Sequence, residues 1–302
     1  MKYAIFKLDF HTGVHFGTGM LNDSIYTFRA DTLFSALYIE ALKNGTDKKL
    51  LQAVTEGNLK FTDAFPYVGS QYMIPKPMLY IEPANKGDSA AKKKYKKLKY
   101  IPVDQLDQYL KGELELNQNP MNGYGSSELR TSAAVRKEDA TLPYHIGTYH
   151  YNDGNGLYVI VGFEHEEDRN LFTELLTAVS FTGIGGKRSS GLGKFKVKNG
   201  EDSDILYRYL NQESDQYMLL SVGLPPEDEL EDVLDGASYL LEKRSGFIAS
   251  DTYAEELRKK QDLYVFTSGS CFNNKFSGRV YDVSDGGSHP VYRYAIPFFM
   301  GV

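Results

Sequence analysis

Cysteine is nearly absent: the 302 residues contain one, Cys271. A lone thiol closes no disulfide within the chain and cannot build a cysteine-based zinc or iron–sulfur site. Long apolar runs are missing as well, since nothing approaches the ~20 consecutive apolar residues of a membrane helix. The opening residues, MKYAIFKLDFH, carry Asp9 and His11 within the first apolar stretch, unlike the core of a cleavable signal. A chain without membrane contact, working in the reducing cytoplasm, is expected. Positive charge is not in excess either: 34 Lys and Arg face 40 Asp and Glu, a net charge of −6. Non-specific coating of nucleic acid needs a basic domain, so any nucleic-acid binding must be local.

What is present is a globular composition, 41% hydrophobic and 25% charged, which excludes disorder as a whole-chain description. At about 150 residues per domain, the length suggests two domains or one large one. Charge is segregated along the chain. Residues 92–99 (KKKYKKLK) hold six lysines and no acid, and residues 227–235 (EDELEDVLD) hold six acids and no base. Residues 185–198 (GGKRSSGLGKFKVK) form a second basic run that includes Lys187, Arg188 and Lys194. Such patches steer a polyanion over roughly a Debye length, ~8 Å at physiological salt. The lysine run read alone is equally a solvated loop.

Residues 2–10 alternate apolar and polar and run into HTGVHFGTG, a strand followed by a glycine-rich turn. A helix is predicted next, capped by Asp31, with Leu33, Phe34 and Leu37 on one face and Asn44-Gly45 as its stop. Further strands are predicted over 59–65, 72–81, 129–135 and 156–163. The segment 166–179 carries apolar residues at helical spacing and acids in its first turn. The last hundred residues predict strands over 216–222, 238–249, 263–267 and 291–300, with helices over 203–210 and 253–260. Each half reads strand, helix, strands, helix, strand. The simplest architecture is an α+β fold of two ferredoxin-like, RRM-like βαββαβ units with mainly antiparallel sheets. The units are predicted over 1–140, with a basic insertion near 70–127, and over 141–302, containing the loop 181–195.

That loop, FTGIGGKRSSGLGKF, is the strongest local signal. Gly183, Gly185, Gly186, Gly191 and Gly193 surround Lys187, Arg188 and Ser189, so exposed amides and two cations can form an anion-binding nest. It lacks the spacing of a Walker loop and of the dinucleotide fingerprint, and no cofactor is implied. His11 and His15 lie in a loop, where their four-residue spacing does not make a metal pair, and no metal site is predicted. A metal-independent ribonuclease using one of them remains the alternative function. Arg130 and Arg136 bracket RTSAAVR close to Tyr144, His145, Tyr149 and Tyr151. Arginine interleaved with aromatics grips single-stranded RNA through phosphates and base stacking. Arg29 precedes the start of the first helix, whose free amides can hold another phosphate.

These segments together, HFGTG, RADTLFSAL, FTGIGGKRSSGLGKF and the ending HPVYRYAIPFFMGV, resemble the repeat-associated RAMP proteins of CRISPR systems. More narrowly, they resemble the subunit of type III-A (Csm) effector complexes that caps the guide-RNA 5′ end. The resemblance implies a non-catalytic subunit that binds the 5′ handle of the crRNA and meets the guide–target RNA duplex. It also implies two protein partners, the large polymerase-like subunit and the adjacent backbone subunit. Carried over by position, it sets Gly183, Gly185, Gly186, Lys187, Arg188, Ser189, Gly191 and Gly193 against the handle. His15, Phe16, Gly17, Arg29, Thr32 and Ser35 match other handle-facing elements. A β-hairpin thumb is implied too, supplied by residues 73–99 or by the later loop around Tyr124.

Overall fold

The computed structural model describes residues 1–82, 95–115, 118–134 and 142–302. In chain order the first part runs β1 (Lys2–Phe10), α1 (Ala30–Asn44), α2 (Asp47–Thr55), β2 (Leu59–Phe61) and β3 (Phe65–Val68). Next come β4 (Gln71–Pro75), β5 (Tyr100–Pro102), α3 (Leu106–Leu110) and the long pair β6 (Gly125–Ala134) and β7 (Leu142–Tyr151). Then follow β8 (Asn155–Phe163), α4 (Glu166–Thr182), β9 (Phe195–Asn199) and α5 (Asp204–Asn211). The alternation of β1 and the helical period of 166–179 are legible in these elements. The fold is α+β, and its named strand pairs are antiparallel.

The main sheet has the order β5-β4-β3-β8-β1-β9, with β2 also pairing β8. On β1, Leu8 faces Leu157 of β8 on one side and Val197 of β9 on the other. Every residue of β8 is buried, so both faces of the sheet are covered. Period-two alternation sorts its side chains. Leu157, Val159 and Val161 join Phe34, Leu37, Phe172 and Leu176 of α1 and α4 in one core, whereas Tyr158 and Ile160 join Leu206, Met218, Phe298 and Met300 in another.

This pairing crosses the predicted domain boundary near Ala140. β8 and β9 belong to the sheet begun by β1, so the loop 181–195 feeds the first sheet rather than a separate C-terminal unit. The physical reason is that β8 finds its backbone partners in β1, β2 and β3, while two cores cover its faces. A boundary at 140 would also cut the β6–β7 hairpin. That hairpin stays in register from Gly125↔Tyr151 to Ala134↔Leu142, and residues 135–141 lie outside the described residues.

The C-terminal part is divided into smaller sheets. β10 (Tyr217–Leu219) lies between β13 (Cys271–Phe272) and β16 (Phe299–Gly301). β11 (Leu241–Arg244) pairs β12 (Leu263–Phe266), and β14 (Arg279–Asp282) pairs β15 (Tyr292–Ala295). The strand predicted over 238–249 is therefore short. The helix predicted over 253–260 is not formed: Tyr253 packs with Ile248, Val283 and Val291, and Phe247 bridges Lys259. Cys271 is fully buried.

Leu8 is fully buried at the middle of the sheet. Leu8→Ala is expected to lower unfolding free energy by about 2–5 kcal/mol. Chemical denaturation of the full chain checks this, and a loss below about 1 kcal/mol contradicts a close-packed sheet centre.

Candidate nucleic-acid interface

The glycine-rich loop is built from its base upward. α4 ends where Gly183 turns to φ +84° and its amide donates to the Val179 carbonyl at 2.7 Å. The chain then doubles back, with Ile184 N–H donating to Gly193 O at 3.0 Å and Gly193 N–H to Gly13 O at 2.9 Å. Gly186 N–H donates to His15 O at 2.9 Å. A Cβ on Gly183 would lie 2.7 Å from the Leu192 carbonyl oxygen, and one on Gly185 would lie 2.7 Å from that of His15. Glycine is required at both positions by close backbone approach as well as by positive φ. At the tip Lys187 adopts φ 57°, followed by a single 3₁₀ turn, Arg188–Ser190, closed by Gly191. Two half-buried cations and the exposed hydroxyls of Ser189 and Ser190 thus sit on a base held by backbone hydrogen bonds.

The β6–β7 hairpin stands beside this tip. Lys187 Nζ sits 5.1 Å from the centre of the Tyr144 ring on β7, within cation–π range. Arg130 is exposed on β6, whereas Arg136 lies outside the described residues. Among the described residues, Lys187, Arg188, Lys194 and Arg130 have no carboxylate at ion-pair distance. The hairpin base is rigid. Tyr124 O–H donates to Gly156 O at 2.6 Å and Tyr151 O–H to Tyr26 O at 2.7 Å. Burial pushes both phenols well above their ordinary value, so they remain neutral donors.

His15 and Phe16 depart from the expectation of direct RNA contact. Both are buried: His15 Nδ1 bonds the Gly147 carbonyl at 2.7 Å, and Phe16 packs between Phe10 and Phe28. They brace the loop from beneath, because the chain needs apolar bulk where loop, hairpin and β1 meet. Gly17 is exposed. Among the described residues no group of three or more His, Cys, Asp or Glu could hold a metal.

Arg29, Thr32 and the start of α1 depart further. The helix start is already occupied. Asp63 accepts the Ala30 amide at 2.8 Å and the Val222 amide at 3.1 Å, filling the capping role predicted for Asp31. Arg29 bonds Asp63 at 3.0 Å and Glu242 at 2.6 Å. Asp31, in the first turn, is gripped by Arg244 at 2.8 Å and Arg293 at 2.7 Å. Burial raises the Asp31 carboxyl, but the two guanidiniums outweigh it and hold it below the ordinary carboxylate range. Thr32 accepts from Arg244 at 3.2 Å. A phosphate at this terminus would have to displace buried carboxylates. Ser35 is half-buried on α1, one turn further along.

Sequence reasoning missed Asp63, Glu242, Arg244 and Arg293. A signal existed for two of them: Asp63 interrupts the apolar run from Phe61 to Phe65, and Arg293 interrupts VYRYAIPFF. A lone charge in an apolar run must be paired when buried.

A family model described as the CRISPR Csm4 C-terminal domain matches residues 212–302. A curated relative from Mycobacterium tuberculosis, "CRISPR system Cms protein Csm4", is 38% identical over 306 residues, covering 100% of this chain and 98% of its own. A relative of the same name from Streptococcus thermophilus is 34% identical, covering 99% and 98%. Among solved structures, the Csm3–Csm4 subcomplex of a type III-A interference complex aligns with a TM-score of 0.68 at 19% identity, covering 100% and 99%. A Csm1–Csm4 cassette in complex with cA4 aligns with a TM-score of 0.64 at 19% identity, covering 100% and 98%.

Asp63→Ala is expected to destabilise the chain by about 2–4 kcal/mol, because it leaves two buried amides unpaired and takes from the half-buried Arg29 one of its two carboxylate partners. Lys187→Ala is expected to change stability by less than about 0.5 kcal/mol. Parallel thermal melts separate the two, and equal shifts would contradict the division into buried frame and solvent-facing tip.

Proposed function

This chain belongs to the Csm4 family, and from that premise we propose that it is a non-catalytic, RNA-binding subunit of a type III CRISPR effector, holding the crRNA 5′ handle on loop 181–195. One observation carries the reading: Lys187 and Arg188, without carboxylate partners among the described residues, stand on a loop fastened by backbone hydrogen bonds beside an aromatic hairpin. Cations on a hydrogen-bonded backbone position phosphates, and the ring of Tyr144 offers a stacking surface. His15 is buried and engaged by Gly147 O, which supports bracing rather than proton transfer.

The order β9-β1-β8-β3, connected through α1 and α4, reads as one ferredoxin-like unit spanning residues 2–199. Residues 200–302 form the second unit in reduced form. The β6–β7 hairpin is the thumb that meets the guide–target duplex, and Leu129 and Leu142 on it are exposed apolar side chains suited to a wedge. The adjacent backbone subunit and the large polymerase-like subunit are its protein partners, as the Csm3–Csm4 and Csm1–Csm4 assemblies of relatives suggest. The acidic segment 227–235 serves such protein contacts rather than RNA. The assembly works in the cytoplasm, in defence against foreign nucleic acid.

The test is handle binding by the assembled complex at several salt concentrations. Lys187→Ala/Arg188→Ala is expected to weaken binding about tenfold at physiological salt and to flatten the log–log salt slope by about 1 to 1.5. Unchanged affinity and slope would overturn the assignment of this loop.

A further inference from the structure

A cavity of about 600 Å³ opens between α1 and the C-terminal loops, lined by Ser35 and Tyr38 of α1 and by Ser250, Lys260, His289 and Tyr292. It shares no residue with loop 181–195, and its assignment does not rest on the handle reading. Lys260 is half-buried. The carboxylate whose field reaches it, Asp31, is already taken by Arg244 and Arg293. Arg293 is itself buried, and its Nε has no hydrogen-bond partner among the described residues. Asp262 also faces Arg293, but it is bonded to Lys243 at 2.7 Å.

Four cations, Arg29, Arg244, Arg293 and Lys260, therefore share three carboxylates, Asp31, Asp63 and Glu242. Lys260 is the cation of this group that lines the cavity. Burial, and next the Arg293 guanidinium, pull its ammonium down to about 8. An uncompensated cation at low dielectric favours an incoming anion. Lys43 also lines the cavity but is paired with Glu40 at 2.7 Å, and most of the remaining wall is apolar, with Ile39, Leu42, Ile248 and Val291, so the polar groups are few. Ser35 and Ser250 carry hydroxyls, Ser250 Oγ lies 2.8 Å from His289 Nε2, and the rings of Tyr38 and Tyr292 meet edge to face at 5.5 Å.

We propose that this cavity is a phosphate-binding site, in which Lys260 and the serine hydroxyls receive the phosphate of a nucleotide and the tyrosine pair forms the wall for its base. The phosphate can come from a free mononucleotide or from an RNA terminus. Calorimetric titration of the full chain with inorganic phosphate, AMP, adenosine and a 5′-phosphorylated oligonucleotide distinguishes these sources. Phosphate-bearing probes are expected to saturate, and adenosine to bind about tenfold more weakly than AMP. Lys260→Met is expected to lose about tenfold in AMP affinity, and Lys260→Arg to retain it. An unchanged melting temperature shows that Lys260→Met still folds. Tighter AMP than oligonucleotide marks a free nucleotide, and the reverse marks an RNA end. Adenosine binding equal to AMP, Lys260→Met binding equal to the native chain, or no saturation with any probe would overturn the assignment.

Discussion

The junction between the two halves of the chain depends on the Arg29–Asp63 pair. A fully buried carboxylate without partners is unstable by several kcal/mol. Asp63 avoids this by accepting from the Ala30 amide, the Val222 amide and Arg29. One side chain therefore caps α1, holds the amide of Val222 in the segment after β10 and fixes a guanidinium whose other edge reaches Glu242. Glu242 meets Arg244, Arg244 meets Asp31, and Asp31 meets Arg293. Apolar burial would tolerate several orientations of α1 against β11 and β15, whereas directional ion pairs tolerate few. The network is weak evidence for stability and stronger evidence for specified docking.

The sheet beneath the junction solves a different problem. β8 is buried along its whole length, so helices cover one face and the C-terminal strands and α5 cover the other. Because both covers are needed, residues as distant as Phe34 and Phe298 pack against a single strand pair. The glycine-rich loop inherits this rigidity at both ends, from α4 on entry and β9 on exit. Its position beside the hairpin follows from the Val14↔Tyr149 bridge, which ties the turn after β1 to β7.

Much of this frame was legible in the chain and some was not, for physical reasons. β1, α1 and α4 announce themselves by period, and the glycines of 181–195 by the backbone approaches they permit. The domain boundary was not legible, because an insertion of about ninety residues separates β3 from its partner β8 and hides their pairing from any local pattern. The N-terminus of α1 misleads for a related reason. Locally it presents free amides beside Arg29, yet Asp63, in the link between β2 and β3 more than thirty residues later, takes the first of them. The family resemblance sets His15 and Phe16 against the handle by position, yet packing buries both, a distinction that sequence spacing alone does not make.

If an acidic chain is to bind RNA, as proposed for this one, its cations must fall into two classes. Lys198 is paired with Asp9 at 2.6 Å, Arg208 with Asp107 at 2.7 Å and Lys275 with Glu213 at 3.2 Å, so these contribute little field beyond their neighbours. Lys187, Arg188 and Lys194 have no such partners among the described residues, and their potential extends into solvent over about 8 Å before salt screens it. Net charge is therefore a poor guide to where a polyanion binds. A cation signals a binding surface when the fold withholds a carboxylate from it and also holds it still. The proposed site on the glycine loop rests on both conditions: among the described residues its tip has no carboxylate partner, and its base is held by backbone hydrogen bonds.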